Sequence, residues 1–210
     1  MIFNIAAGGF SSTIKVTTAA GATVTCELSP YSFSATADVY GVVTFTALKT
    51  GTWTVTASKS GITASGTASV TGTGQEYNVS LPLRKWLFKE GEGAKVTLTT
   101  VGSRTEVTSA SIRLWDASSN TTRVYTASNI DMTPYSKMVL TYSDGSESTA
   151  CKIKVQRYSN STVIKTYDKS SSKTTVSTGV ASASYTDKLE LALTSSPTAS
   201  HYIYNWYLEV

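Results

Sequence analysis

The chain has one histidine, His201, in the run Ser200-His201-Tyr202. A hydrolase needs a nucleophile with a base, a carboxylate pair or a bound metal, each set by recognisable local structure. Neither G-x-S-x-G nor H-E-x-x-H occurs, so nothing beyond bare composition supports a Ser-His-Asp arrangement and His201 reads as a strand-edge residue. Carboxylate chemistry is the one catalytic route left open, because folding can bring Asp116, Asp131 or Glu190 together. Gly72-Thr73-Gly74 and Gly91-Glu92-Gly93 lack the strand-turn-helix context of a phosphate cradle and read as turns. Cys26 and Cys151 are far apart, and a single distant histidine does not complete a zinc site. The expectation is no catalytic residue, no metal and no cofactor.

Binding chemistry is better supplied. Arg113 and Trp115 alternate with Ile112 and Leu114, so on a strand the guanidinium and the indole share the side opposite the aliphatic pair. Lys152, Lys154, Gln156 and Tyr158 form a similar row opposite Cys151, Ile153 and Val155. An aromatic face flanked by hydrogen-bonding side chains suits a sugar, whose apolar ring face stacks while its hydroxyls pair with polar groups. Outward aromatics are also ordinary strand formers, and a second sheet or a subunit can cover such a side. Arg113, Trp115 and Tyr158 are the candidate ligand-binding residues.

The elements that must position these residues are strands. From Gly41 to Val55 apolar residues alternate with threonine, Val43, Phe45 and Ala47 on one side, then Trp53 and Val55. Lys49-Thr50-Gly51 supplies a break, and the stretch reads as a β-hairpin. Seven strand-like runs fall between Thr13 and Leu81, the number in an immunoglobulin-like sandwich. Their inward set includes Ile14, Val16, Val24, Cys26, Leu28, Phe33, Phe45, Trp53, Val55, Val70, Tyr77 and Leu81. Leu81-Pro82-Leu83 marks a boundary, since proline ends ladder pairing. Eight or nine further runs follow with no convincing helix, fitting a jelly roll. The last of these should bury Tyr202, Tyr204, Trp206 and Leu208 and turn Ile203, Asn205, Tyr207 and Glu209 outward. Lys169 to Gly179 reads as a hairpin tip or long loop, and Asp144-Gly145 as a tight turn.

At 210 residues the chain suits two small domains, 1–82 and 83–210. Only 15% of residues are charged, and abundant serine and threonine take the outward strand positions. Through Pro82, Lys15, Lys49 and Lys59 balance Glu27, Asp38 and Glu76, so the net charge of +4 and every arginine lie beyond it. No cluster of Lys and Arg suits a phosphate backbone, which argues against a nucleic-acid partner. Both cysteines sit in phase with apolar neighbours and read as buried free thiols. No segment is long and apolar enough to span a bilayer, and residues 1–10 lack the pattern of a secretory signal.

The spacing Asp38-x-x-Gly41, then Phe45, Leu48, Gly51, Trp53 and Val55, resembles the carboxypeptidase-regulatory-like domains, small immunoglobulin-like sandwiches related in shape to transthyretin. The resemblance covers about the first third of the chain and implies a spacer or binding module. The run Ser128 to Met138 and the terminal Tyr204-Asn205-Trp206-Tyr207-Leu208-Glu209 resemble C-terminal sandwich domains of prophage tail and surface proteins of Gram-positive bacteria. In those proteins the module looks like the galactose-binding-like jelly rolls, which implies a virion location. The expectation is an all-β chain of two β-sandwich domains, Ig-like followed by jelly-roll, without enzymatic activity. It is expected to serve as a bacteriophage or prophage tail or capsid-decoration protein, assembled in the host cytoplasm with reduced thiols. Its partners would be a host cell-surface glycan or other virion proteins, with no nucleic acid, no membrane, and a homo-oligomer left open. The alternative is a secreted bacterial adhesin or carbohydrate-binding module at the cell surface. A glycan-degrading enzyme, marked by converging carboxylates in a cleft, is the third class.

Overall fold

The computed structural model describes residues 12–102, 104–115, 122–144, 152–181, 183–194 and 200–210, with the side chain of Ala47 outside the description. Asp116, Gly145 and Cys151 lie outside the described residues. The protein is all-β, and it divides into two compact units, Met1–Arg84 with Val210 and Lys85–Glu209.

The first unit contains β1 (Ser12–Thr17), β2 (Thr23–Leu28), β3 (Tyr31–Thr36), β4 (Val42–Leu48), β5 (Gly51–Lys59), β6 (Ile62–Val70) and β7 (Glu76–Ser80). They form a three-stranded sheet in the order β4-β1-β7 and a four-stranded sheet in the order β3-β2-β5-β6. Strand β5 is the plainest case of the alternation that builds them: Trp53, Val55 and Ala57 are buried, while Thr52, Thr54 and Ser58 are exposed. Ile14, Val16, Val24, Cys26, Phe45 and Trp53 meet in one core, with Leu28, Phe33 and Tyr77 packed at its margin.

The expected hairpin at Gly41 to Val55 does not form. Strand β4 pairs with β1, whereas β5 pairs with β2 and β6, so Lys49-Thr50 carries the chain from one sheet to the other. Phe45 and Trp53 therefore enter the core from opposing sheets, which buries both rings more fully than one two-stranded ribbon can. The crossing is tied by Trp53 Nε1, which donates to the Lys49 carbonyl at 2.8 Å. The reversal at β5–β6 is the tight hairpin: Lys59 pairs with Ile62 across Ser60 and Gly61, with φ of 51° and 77°. Positive φ at both central residues is the geometry that matches the twist of paired strands. In the loop before β4, Asp38 Oδ1 accepts from the amides of Tyr40 at 2.9 Å and Val42 at 2.8 Å. Gly41 there has φ +75°, and a Cβ on it would lie 2.2 Å from the Thr18 carbonyl oxygen. The Asp38-x-x-Gly41 spacing thus has a local reason.

The second unit begins with β8 (Arg84–Lys89), β9 (Gly93–Ala94), β10 (Leu98–Val101), β11 (Thr105–Val107), β12 (Ile112–Leu114), β13 (Arg123–Thr126) and β14 (Ile130–Asp131). It continues with β15 (Lys137–Asp144), β16 (Ile153–Arg157), β17 (Val163–Thr166), β18 (Thr174–Gly179), β19 (Thr186–Asp187), β20 (Leu189–Leu193) and β21 (His201–Glu209). One sheet runs β10-β13-β20-β16-β17 and another β11-β12-β21-β15-β18, with β8 also on β21 and β9 on β8; β14 and β19 pair separately. The inward residues of the two larger sheets supply the core: Val124, Val155, Leu189 and Leu191 from one, Leu114, Leu140, Ile203 and Trp206 from the other.

Two expectations change here. Lys169 to Gly179 is not all loop: Thr174–Gly179 is an edge strand, paired with β15 so that Val176 faces Leu140. Its one aliphatic residue gave little periodicity, but β-branched threonines favour the pleat and the backbone ladder needs no apolar side chain. Strand β21 departs more. Opposite β15, Thr141 pairs with Asn205 and Tyr142 with Ile203, leaving Tyr204 as an extra residue. A bulge inverts the alternation beyond it. His201, Ile203, Trp206 and Leu208 are therefore buried, whereas Tyr202, Tyr204, Asn205 and Tyr207 are half-buried. The expected inward assignment fails for both tyrosines and holds for Trp206 and Leu208.

Candidate functional site

The bulge puts Tyr202, Tyr204, Asn205 and Tyr207 on the side of β21 opposite its buried residues, and the neighbouring strands extend the row. Arg113 on β12 lies directly across from Tyr202. Its guanidinium sits 4.4 Å from the centre of the Trp115 ring and 5.7 Å from that of Tyr202, and its Nε donates to Ser200 Oγ at 3.0 Å. A guanidinium over an aromatic face is attracted by the ring quadrupole and loses side-chain freedom in the process. Tyr202 and Tyr204 follow with ring centres 6.4 Å apart and planes 18° from parallel. The Tyr204 hydroxyl lies 3.0 Å from Ser143 Oγ, and Lys173 Nζ stands 4.5 Å above the Tyr204 ring. Lys173 also pairs with Glu90, whose amide donates to Asn205 Oδ1 at 3.2 Å. Farther along, Trp86 meets Tyr207 with centres 4.5 Å apart, and Lys89 Nζ lies 5.5 Å from the Trp86 ring. From Tyr202 to Tyr207 the strand alone spans roughly 17 Å at about 3.3 Å per residue.

Tyr158 lies elsewhere. It follows β16 in the other large sheet, packed against Tyr125 with ring centres 4.4 Å apart and planes tilted by 37°, and with Lys188 Nζ 5.4 Å from its own ring. Its hydrogen bond with Tyr125 raises the Tyr158 hydroxyl above the ordinary tyrosine range. The structure thus joins Arg113 to Trp115 and separates both from Tyr158 by sheet.

Among the described residues the carboxylate candidates Asp131 and Glu190 lie in different sheets. Asp131 is in the small β14–β19 sheet, where its carboxylate accepts from the Thr133 amide at 2.9 Å and is held below its ordinary range by that bond. Glu190 is in the five-stranded sheet. His201 is no strand-edge residue: its Nδ1 lies 2.6 Å from Asp144 Oδ1, and both side chains are buried. Asp144 Oδ2 in turn accepts from the Ser170 amide at 2.8 Å. This is the geometry of the His-Asp half of a triad, but it is placed in the interior as a structural clamp. Among the described residues no group of three His, Cys, Asp or Glu side chains can hold a metal ion. Cys26 is a free, buried thiol pushed up to about 12, first by burial and then by Glu27.

Sequence reasoning missed Tyr202, Tyr204 and Lys173. One signal for the tyrosines was present: Ile203 and Trp206 are both large and apolar but of opposite parity, and one strand can bury both only through a bulge. Lys173 lay in a stretch with no periodicity to read.

No protein-family model matches the chain, and no curated protein matches it in sequence. Solved structures do align. A family 29 carbohydrate binding module covers 60% of this chain and 87% of its own at 10% identity, with a TM-score of 0.43. A mutant of a family 29 module covers 60% and 90% at 12% identity, also with a TM-score of 0.43. A family two carbohydrate esterase from Cellvibrio japonicus aligns over 60% of this chain and 32% of its own at 10% identity, with a TM-score of 0.39.

Proposed function

We propose that the protein is a non-catalytic saccharide-binding protein whose second unit holds an extended glycan along the outward row of β21. The observation that carries this reading is the row itself: Trp115, Tyr202, Tyr204 and Tyr207 on one sheet face, interleaved with Arg113, Lys173, Ser143 and Asn205. Aromatic faces receive the C–H faces of pyranose rings, while the guanidinium, ammonium and amide groups pair with hydroxyls. Contacts from Arg113 and Lys173 to the rings fix the platform before ligand arrives, which lowers the ordering cost of binding. The length of the row favours several consecutive sugar units over a single ring.

The first unit acts as a spacer in this proposal, the role implied by its likeness to carboxypeptidase-regulatory-like domains. Likeness to prophage tail and surface proteins suggests a setting, adhesion of a virion to a host-surface glycan. The genes flanking the natural gene test that setting independently of binding. A secreted adhesin or carbohydrate-binding module uses the same face.

Affinity electrophoresis and calorimetry against soluble mannans, glucans and bacterial wall polysaccharides test the activity. The Trp115→Ala variant should lose at least about 2 kcal/mol, roughly thirtyfold in affinity. Unchanged binding by a folded Trp115→Ala protein, or no binding to any polymer, overturns the proposal.

A further inference from the structure

The other large sheet of the second unit carries a polar cluster that the β21 row does not use. Tyr125, Glu190 and Gln156 are register partners across β13, β20 and β16, and Arg123, Ala192 and Lys154 form the next row on the same side. Residues directly opposite in antiparallel strands point to one face. The small Ala192 between two long cations leaves a depression of about 270 Å³ lined by Arg123, Lys154, Gln156, Ser161, Glu190 and Thr194.

The floor of that depression is under-satisfied. Glu190 is 1% exposed, yet among the described residues its carboxylate has one close protein donor, Gln156 Nε2 at 2.6 Å, and a long contact to Arg123 Nη1 at 3.5 Å. Gln156 is 4% exposed, and among the described residues its Oε1 accepts no hydrogen bond and Arg123 Nε donates none. Buried polar atoms of this kind destabilise the fold when left unpaired. A carboxylate beside a free amide oxygen calls for two neighbouring donors, and Arg123 and Lys154 offer donors for the oxygens that carry those hydrogens. Two cations at the rim repel a metal ion, and the carboxylate at the floor repels an anion. A pair of adjacent hydroxyls on a neutral ligand meets all these demands at once.

We infer that this depression is a second saccharide site, taking one neutral pyranose ring by two vicinal hydroxyls donated to Glu190 and Gln156. The Tyr125–Tyr158 pair lies on the same face beside Glu190, at the margin of the depression and outside its lining, with Tyr158 39% exposed, so a ring held at Glu190 that projects from the depression meets an aromatic surface there. A volume of about 270 Å³ holds one ring and not a chain, so the site reads a terminal or branch residue. It stands independently of the β21 row, on a different sheet.

The test is a titration of the full chain with methyl α-mannopyranoside, methyl β-glucopyranoside and methyl β-galactopyranoside, followed by the side-chain amide resonance of Gln156. At least one sugar should shift that amide saturably, and deoxy analogues lacking either of two adjacent hydroxyls should lose the shift. Glu190→Gln should weaken monosaccharide binding at least tenfold while polymer binding persists; Tyr158→Ala, an exposed change that leaves the floor intact, should weaken it severalfold. Trp115→Ala should leave monosaccharide binding unchanged. No saturable shift with any of the three sugars means ordered water only at the floor and overturns the site, whatever the polymer result. Loss of monosaccharide binding in Trp115→Ala overturns its independence. Retained monosaccharide binding with no polymer binding removes the β21 proposal and leaves this one standing.

Discussion

Each unit is centred on a strand of nine residues, β5 in the first and β21 in the second, and the two strands present different outward faces. Strand β5 alternates without a break, and its outer positions are Thr52, Thr54, Thr56 and Ser58. Strand β21 carries one extra residue, and its outer positions are Tyr202, Tyr204, Asn205 and Tyr207. Unbroken alternation makes a scaffold with a uniform hydroxyl surface and nothing to grip. A single bulge crowds aromatic and amide groups onto one side while both Ile203 and Trp206 stay in the core.

Trp53→Ala removes a fully buried indole and should cost about 3–5 kcal/mol, a large share of the stability of so small a domain. Urea unfolding followed by a probe in each unit should show early loss of the first unit while saccharide binding remains. Simultaneous loss of binding shows that the first unit is more than a spacer.

Making β21 resemble β5 sharpens the contrast. Replacing Tyr202 and Tyr204 together with threonine puts a strand-favouring, β-branched residue at each half-buried position. Polymer affinity should fall at least about thirtyfold, the effect of losing about 2 kcal/mol. The melting temperature should move little, and a collapse in stability instead marks the tyrosines as core.

Acid acts on the second unit through Asp187. Burial pushes its carboxyl up, but Ser159, Arg157 and the Lys188 amide outweigh burial and hold it below its ordinary value. A folded value below the unfolded one stabilises the protein above about pH 4, and that contribution is lost as pH falls through the folded value. Melting curves between pH 5 and 2 should show the parent losing more stability than Asp187→Asn. Parallel curves dispose of the assignment.

The smallest effect belongs to Cys26, whose raised pKa keeps it a protonated thiol at neutral pH. In Cys151→Ser protein, a thiol reagent at pH 8 should react only on unfolding; fast reaction of the folded chain means that Cys26 is reachable.

These contrasts also explain what was legible in the sequence. All seven strands of the first unit could be read, because each turns one face toward the core, only half-buried in β3, and therefore shows period-2 alternation. Which strands pair was not legible: Phe45 and Trp53 alternate correctly whether β4 and β5 form a ribbon or belong to facing sheets. In the second unit Thr105–Val107 and Ile130–Asp131 were too short to display a period. For the binding face, Arg113 and Trp115 were visible because β12 is regular, whereas Tyr202 and Tyr204 were assigned inward because parity was carried across a bulge. Glu190 and Gln156 share a floor only through the β16–β20 register, which no spacing along the chain encodes.

The place of β21 in the order of synthesis has a consequence for how recognition is acquired. The β5–β6 hairpin closes over a two-residue turn and can form in microseconds, but β21 follows both β12 and β15 in the chain and sits between them. Until it inserts, a nascent chain holds Arg113 and Trp115 without their tyrosine partners and exposes two unpaired ladders at the centre of a sheet. Open edges of that kind recruit other strands. A chain interrupted before Tyr202 is therefore prone to aggregate and has no platform, so the capacity to bind appears only once β21 has inserted between its two neighbours.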